Sequence, residues 1–516
     1  MEGYTGVCVE IPVDPIGRGD HLKKYLQYSS FIASLAVFGI GHVVDRYNII
    51  LVGVLLMLLS NLIYGFASAK KRVFFLVFNF TFFVFLLGRP TVSMFRGNEW
   101  WYFESSAVHF ALNACFLSLM ALQIGTAMFE RLHRPIKRPP SNPRWEESKN
   151  ESVQVVSLCL FYLAMFFYLV MELEKLLFMR GKEYTDFYIA FASQMPFLVR
   201  FLSGLMKPAL CIFLSTLPKK SRTVFPLVLY VLSAVPMLII GARNPIVLNL
   251  LFALLYYYIR DVLQKYPREK WIGRFEKTAI VLAIPAAIIF LAMYNFIRAD
   301  VQVERMGLFS ALVELIYRQG VSFDVLCMAF LALPNLPNVV PKCYTFGGFI
   351  DEFQHGTIAQ ALFGATPLGE SNSVYKAVYG NSFAHSMSYV AKDTYLEGEG
   401  WGSSYILETY ADFDYVGMFL FGILLGVALG YLVYLIYQGG FRSVLGWMAA
   451  TTLFLVPRDS ATGWIEFIIT PRFWVAVVFC YIVGSLCAKS YRQLPHMQAE
   501  YLTNRRKDTR CLRDSA

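Results

Sequence analysis

The sequence predicts an all-α, polytopic membrane protein of about twelve transmembrane helices, with one long extracytoplasmic loop holding interfacial or re-entrant helices. Three observations carry this reading. Of 516 residues, 57% are hydrophobic and only 16% charged, with a mean hydropathy of +0.50, whereas soluble chains carry roughly a quarter charged residues. Apolar runs long enough to cross a bilayer recur along the whole length. The Lys and Arg residues behind the net charge of +10 gather in alternate connections, the pattern of cytoplasmic loops. The charge therefore reports topology and gives no reason to expect a nucleic-acid partner.

The first four spans are predicted at Ser29–Val44, Ile49–Ala67, Val73–Leu87 and Ser106–Phe129. The basic, Pro-rich connection Glu130–Ser152 is read as cytoplasmic, and Val153–Met171 returns outward. Glu172–Met195 carries Lys175, Arg180, Lys182 and Asp186, which break its apolar pattern, so it is an outer loop with an interfacial helix. The next span, Pro196–Leu217, holds Arg200 near its outer end and Lys207 inside; a charge at such depth faces protein or water, or snorkels. Val224–Gly241 and Pro245–Tyr258 are joined by Ala242-Arg243-Asn244, a connection too short to wander, which fixes Arg243 at the outer face. Ile280–Ile297 then emerges at Arg298.

Residues 298–412 are read as the long outer loop. Met306–Leu333 is apolar, but Glu314, Arg318 and Asp324 interrupt it, and one more crossing would put later basic segments on the wrong side. It is therefore expected to form interfacial or re-entrant helices, whose backbone must be covered by protein or water. Phe413–Tyr434, Val444–Val456 and Phe467–Ala488 complete the spans, with Arg458–Trp464 outside and residues 489–516 a basic cytoplasmic tail. The chain is one integral membrane domain, both termini cytoplasmic.

With this topology a polar set converges on one face. Arg243, Arg298, Arg318 and Arg458 are suited to phosphate or pyrophosphate, since guanidinium binds oxygens bidentately and stays charged. The equally available readings are pairing of Arg298 with Asp300 and of Arg458 with Asp459, or contact with lipid phosphates. Glu399 and His385 are candidates to take a proton from an attacking hydroxyl. His385 sits among small hydroxylic residues, whereas His355 reads as a loop hydrogen-bonder. The stretch Glu397–Glu408 supplies three glycines, which let the backbone turn sharply. Its Trp401, Gly402, Ser403, Ser404, Tyr405 and Glu408 are expected to bind substrate, with Trp401 and Tyr405 offering flat faces to sugars. The plainer reading of the same stretch is an interfacial turn with an aromatic anchor.

No nucleotide-binding Gly-rich loop and no His-Glu-x-x-His is present, and no compact acidic cluster asks for a divalent metal. No cofactor is expected. Nine cysteines are scattered without a Cys-x-x-Cys pair; whether Cys327 and Cys343 pair is left open.

Gly398-Glu-Gly-Trp-Gly-Ser-Ser-Tyr-Ile-Leu-Glu-Thr-Tyr410, then Asp414-Tyr-Val-Gly417 and a span, resembles the distal signature of bacterial Wzy-type O-antigen and oligosaccharide repeat-unit polymerases. Gly241-Ala-Arg-Asn-Pro245 resembles another of their arginine-bearing stretches. One departure is Asp414, where Gly or a similar small residue is expected. The group is similar in architecture to O-antigen ligases and to the C-type glycosyltransferase class. The resemblance implies a bacterial inner-membrane enzyme that moves a growing glycan from undecaprenyl pyrophosphate onto an incoming undecaprenyl-pyrophosphate-linked repeat unit, without metal. It implies membrane lipid, a chain-length regulator and a flippase as partners. Arg243, Arg298 and Arg458, with Arg318 in reserve, would hold the pyrophosphate. Glu399 or His385 would orient or deprotonate the acceptor hydroxyl, and Trp401 and Tyr405 would hold the glycan. A transporter or flippase of lipid-linked oligosaccharides, or a ligase-like transferase, are the alternatives.

Overall fold

The computed structural model describes residues 18–133, 143–263, 269–279, 281–282 and 307–489, and among these every regular element is helical. Eleven helical stretches among the described residues are long and apolar enough to cross a membrane. Of the expected span Ile280–Ile297 only 281–282 are described, and Arg298 lies outside the described residues. Helices α1 (Arg18–Val44), α2 (Tyr47–Ala67) and α3 (Ala69–Phe82) come first. α3 passes through a π-helical turn, Phe83–Leu87, into α4 (Gly88–Phe95). After α5 (Ser105–Leu132) and α6 (Pro143–Phe178) comes a short α7 (Tyr184–Ala190). The broken pair α8 (Phe197–Ser203) and α9 (Met206–Ser215) follows, then α10 (Lys220–Leu232), α11 (Val235–Ile240) and α12 (Asn244–Leu263).

The apolar stretch expected to be re-entrant forms α13 (Leu308–Gln319) and α14 (Ser322–Ala332). Together they have the length and composition of a span, but they do not run as one rod. α13 packs along α4, with Gly88 against Ile316 and Gly320 pressed on the Arg89 backbone. α14 then stays at the N-terminal end of α5, where Phe323 meets Trp100 and Phe330 stacks on Phe110 at 4.5 Å. Arg89 pairs with Asp324 and donates to Tyr317 O at 3.3 Å, so the two interior charges neutralise each other across the turn. α15 (Gly347–His355), α16 (Thr357–Phe363), α17 (Val374–Tyr379) and α18 (Phe383–Ala391) follow.

The stretch Tyr405–Gln438, α19, is not a straight helix either. Asp414 has φ 57° and ψ −168°, which reverses the chain. Tyr405 and Phe421 consequently lie side by side, ring centroids 6.3 Å apart, although a straight helix would separate them by about 24 Å. The arm Tyr405–Phe413 therefore dips back beside the long limb, about 13 Å for nine residues. This revises the expectation that the glycine-rich stretch leads straight into a span at Phe413: it enters the bundle first. The long limb packs on α5 through Gly422, Gly426 and Gly430. A Cβ at Gly422 would lie 2.8 Å from Ala121 Cβ, and one at Gly426 would collide with Leu122 O; Thr126 Oγ1 also donates to Gly426 O at 2.9 Å. Small residues four apart let membrane helices approach this closely.

The predicted span Val444–Val456 does not form as one helix. α20 (Gly440–Ala450) ends at Thr451–Thr452, and a 3₁₀ turn, Leu453–Arg458, follows with Pro457 inside it. Eleven helical residues reach about 16 Å, half of a bilayer core, so Arg458 is held within the bundle. α21 (Pro471–Lys489) closes the described chain. At the far end of α19, Tyr437 Oη donates to Lys70 O at 2.7 Å, and Arg72 pairs with Glu130 at 2.6 Å; the basic connections thus lie opposite the arm's site. Cys327 and Cys343 are both free thiols.

Candidate functional site

The site forms where the dipped arm begins. Ser404 caps it, its hydroxyl accepting from Ile406 N at 3.3 Å. One turn on, buried Glu408 accepts from Ser403 Oγ at 2.7 Å and from Ala461 N at 2.7 Å. This carboxylate ties the glycine-rich stretch to the loop after Arg458; Thr462 Oγ1, donating to Thr345 O at 2.8 Å, ties the same loop to the segment between α14 and α15. Glu408 is thus a clamp within the protein. Tyr405 is fully buried against Phe78 and Phe421, so its ring packs the core and offers no face to a sugar.

A cavity of about 160 Å³ lies between the two clamped segments, lined by Ser322, Gly400, Trp401, Gly402, Ser403 and Arg458. Arg458 is half-buried, donates from Nη1 to Gln319 Oε1 at 2.8 Å and lies 5.7 Å over the Phe85 ring. Phe85 stands in the π-helical turn, a distortion that recurs at functional sites. Trp401 is anchored by its backbone, its N donating to Ser388 Oγ at 2.8 Å, with Lys392 Nζ 4.5 Å from its ring. Its indole Nε1–H is buried with no hydrogen-bond partner among the described residues. Arg458, with Trp401 and the glycine-rich backbone of Gly400 and Gly402 in the same lining, suits an anion.

α7 ties this cavity to Arg243. Gly241, at φ 120°, packs on Tyr184, whose Cδ2 would be 2.7 Å from an added Cβ, and the Tyr184 phenol lies within electrostatic reach of Arg458. Gly398, at φ 85°, presses on Thr185 O at the next residue of the same helix. Both positions need glycine twice over, for left-handed backbone and for contact. Asn372 completes the joint: its N donates to Tyr188 O at 3.0 Å, and its Nδ2 to Tyr395 O at 2.8 Å and Glu399 O at 2.9 Å. The tight Ala242-Arg243-Asn244 junction and the glycine-rich stretch thus share one small helix.

The remaining candidates have partners of their own. Arg318 bonds Glu314 at 2.7 Å on α13, and its neighbour Gln319 reaches Arg458. Glu399 is held below the ordinary carboxylate pKa by hydrogen bonds from Lys392 and Thr394, at 2.7 and 2.6 Å. His385 Nδ1 lies 3.0 Å from the Tyr395 hydroxyl, and burial, with Lys376 nearby, pushes its pKa down to about 4. It is neutral at neutral pH. His355 is a loop hydrogen-bonder, Nδ1 donating to Thr366 O at 2.8 Å.

Sequence reasoning missed Gln319, Phe85, Tyr184 and above all Glu466. Glu466 is half-buried at the start of a second 3₁₀ turn, Glu466–Ile469, and faces α15, where a Cβ on Gly348 would overlap its carboxylate. Burial first, then the charges of Asp459, Asp351 and Glu352, raises its pKa to about 7. Only the Arg458–Trp464 loop hinted at it.

A family model described as O-antigen polysaccharide polymerase Wzy matches residues 26–491. No curated protein and no solved structure matches the chain.

Proposed function

Because the chain belongs to the O-antigen polysaccharide polymerase Wzy family, a multi-pass bacterial inner-membrane group acting on lipid-linked oligosaccharide repeat units, we propose that it joins two undecaprenyl-pyrophosphate-linked glycans on the extracytoplasmic face. The observation that carries this is the anion-suited cavity of Arg458 and Trp401, sunk along the dipped arm and joined to Arg243 through α7.

Arg458 and Arg243 hold the donor's pyrophosphate, with Arg298 completing the set and Arg318 supporting it through Gln319. The acceptor's sugar O–H breaks, and its oxygen bonds to the donor's anomeric carbon. The anomeric C–O bond to diphosphate breaks in turn, and undecaprenyl pyrophosphate leaves. Charge builds on the leaving group, where preorganised cations in a water-poor site act most strongly. Trp401, Gly402, Ser403 and Ser404 shape the sugar's seat, with Tyr405 and Glu408 keeping that backbone in place. The proton goes to a carboxylate. Glu399 and His385 are already engaged, by Lys392 and by Tyr395 respectively, and serve to hold the walls. We assign the role to Glu466, which stands in the segment that follows Arg458 and faces Gly348 of α15, its raised pKa favouring proton uptake near neutral pH. Arginine in place of a divalent metal neutralises the pyrophosphate. A flippase would supply the repeat units, and a chain-length regulator would set the product.

The test uses the purified full chain and lipid-linked repeat units, with chelator and without nucleotide. Elongated lipid-linked glycan is the expected product. Movement of lipid across vesicles with no new glycosidic bond would instead identify a transporter. Arg243→Ala and Arg458→Ala should each abolish elongation while the protein still folds. Arg243→Lys should fail too if recognition is bidentate; normal product lengths in the Ala variants would reject the pyrophosphate assignment.

A further inference from the structure

The cavity at Arg458, about 160 Å³, has room for a pyrophosphate or a single ring, but a growing glycan must lie elsewhere, since sites that enclose larger ligands run to about 300–1,000 Å³. A second, open groove of about 790 Å³ lies at the reversal of α19. The two are linked by geometry. Val321 and Ser322, at the start of α14, line the small cavity, and Leu333 and Pro334, just past its end, line the groove. The glycine-rich stretch and the arm of α19 that follows it repeat this, with Gly402 and Ser403 at the cavity and Tyr410 to Asp414 at the groove. Two neighbouring walls thus lead from one space to the other, about 16 Å along the eleven residues of α14.

The groove is made for hydroxyl-rich ligands. Phe413 is 48% exposed, and Tyr410 is half-buried beside it. Asn338 and Asp414 are exposed polar groups in the same lining. Asp412 is spent within the protein, accepting from Tyr344 N at 3.1 Å and Thr345 N at 2.6 Å, which fixes the wall's shape. Asp414 occupies backbone space that only glycine enters readily, and residues held there cluster at ligand sites. Three prolines, Pro334, Pro337 and Pro341, stiffen the opposite wall.

We propose that this groove is a saccharide-binding site that holds the growing glycan beyond the point of bond formation, with Phe413, Asp414 and Asn338 as its contacts. The inference rests on the polymerase reading. Holding several sugars of the donor makes a long donor bind more tightly than a short one, so the groove favours extension of existing chains over starting new ones.

The experiment compares single-repeat and multi-repeat lipid-linked donors, purified from the producing strain, with wild type and with Phe413→Ala, Asp414→Asn and Asn338→Trp. Wild type should show a KM for the multi-repeat donor at least fivefold below that for the single-repeat donor. The three variants should erase that ratio and shorten the product distribution. Wild-type-like ratios and lengths in the folded variants overturn the groove's role. Absence of elongation by wild type overturns the polymerase reading instead. If Phe413→Ala does not fold, Asn338→Trp, which fills the groove from an exposed loop position, decides the matter.

Discussion

Asp414 gives a prediction whose sign runs against the ordinary rule for helices. Inside a helix, Gly costs about 1 kcal/mol relative to Ala. At φ 57°, ψ −168°, a non-glycine residue carries about 1–3 kcal/mol of backbone strain. The Asp414 side chain recovers part of this, because Oδ1 accepts from Tyr415 N at 2.6 Å, a bond with a net value of about 0.5–1.5 kcal/mol. Asp414→Ala loses the bond and keeps the strain, so it should be less stable than wild type by about 0.5–1.5 kcal/mol. Asp414→Gly loses the bond and sheds the strain, so it should exceed the Ala variant by about 1–3 kcal/mol. Thermal unfolding of the three purified proteins in one detergent gives the order. An Ala variant as stable as the Gly variant would refute the reversal at Asp414, and with it the dipped arm that brings Trp401 into the bundle.

Elongation should rise with pH through about 7 as Glu466 loses its proton, and Glu466→Gln should remove that limb; a surviving limb would point to another acceptor. The sign extends to stability: a carboxyl whose pKa is raised on folding is disfavoured once charged, so the Gln variant should out-melt wild type above pH 7 and lose that advantage at acid pH. The groups facing Glu466 are Asp351 and Glu352 on α15 and Asp459 on its own loop, with Arg472 of α21 acting on Glu352; neutralising Asp351 should lower the limb's midpoint. Glu408→Ala leaves Ser403 and Ala461 unmet and should destabilise by about 1–3 kcal/mol for each orphaned group, seen as a lower melting temperature, whereas Glu408→Gln should retain more of it. Gly426→Val drives a side chain into Leu122 O and should cost about 1–3 kcal/mol as overpacking; an unchanged midpoint would show that α5 and α19 do not rely on close contact.

The sequence alone determined the class of the protein, because hydropathy and the placement of Lys and Arg are properties of composition along the chain and need no partner. It also singled out Arg243, Arg458 and Trp401, since a charge pinned in a three-residue junction and a glycine-rich aromatic turn are local features. The paths of two apolar stretches were decided only in three dimensions. Val444–Val456 breaks at Thr451–Thr452, and Tyr405–Gln438 reverses at Asp414. Apolar composition is the same for a crossing helix and a buried, re-entrant one, so hydropathy cannot tell them apart. The roles of Glu408, Tyr405 and Glu466 followed from this. Glu408 meets Ala461, Tyr405 meets Phe421, and Glu466 faces Asp351. These contacts join residues 16 to over 100 positions apart, and a carboxylate's chemistry is set by the groups that packing brings to it. Thus Glu408 became a clamp, while Glu466, inconspicuous in the sequence, came to lie among the carboxylates of Asp459, Asp351 and Glu352.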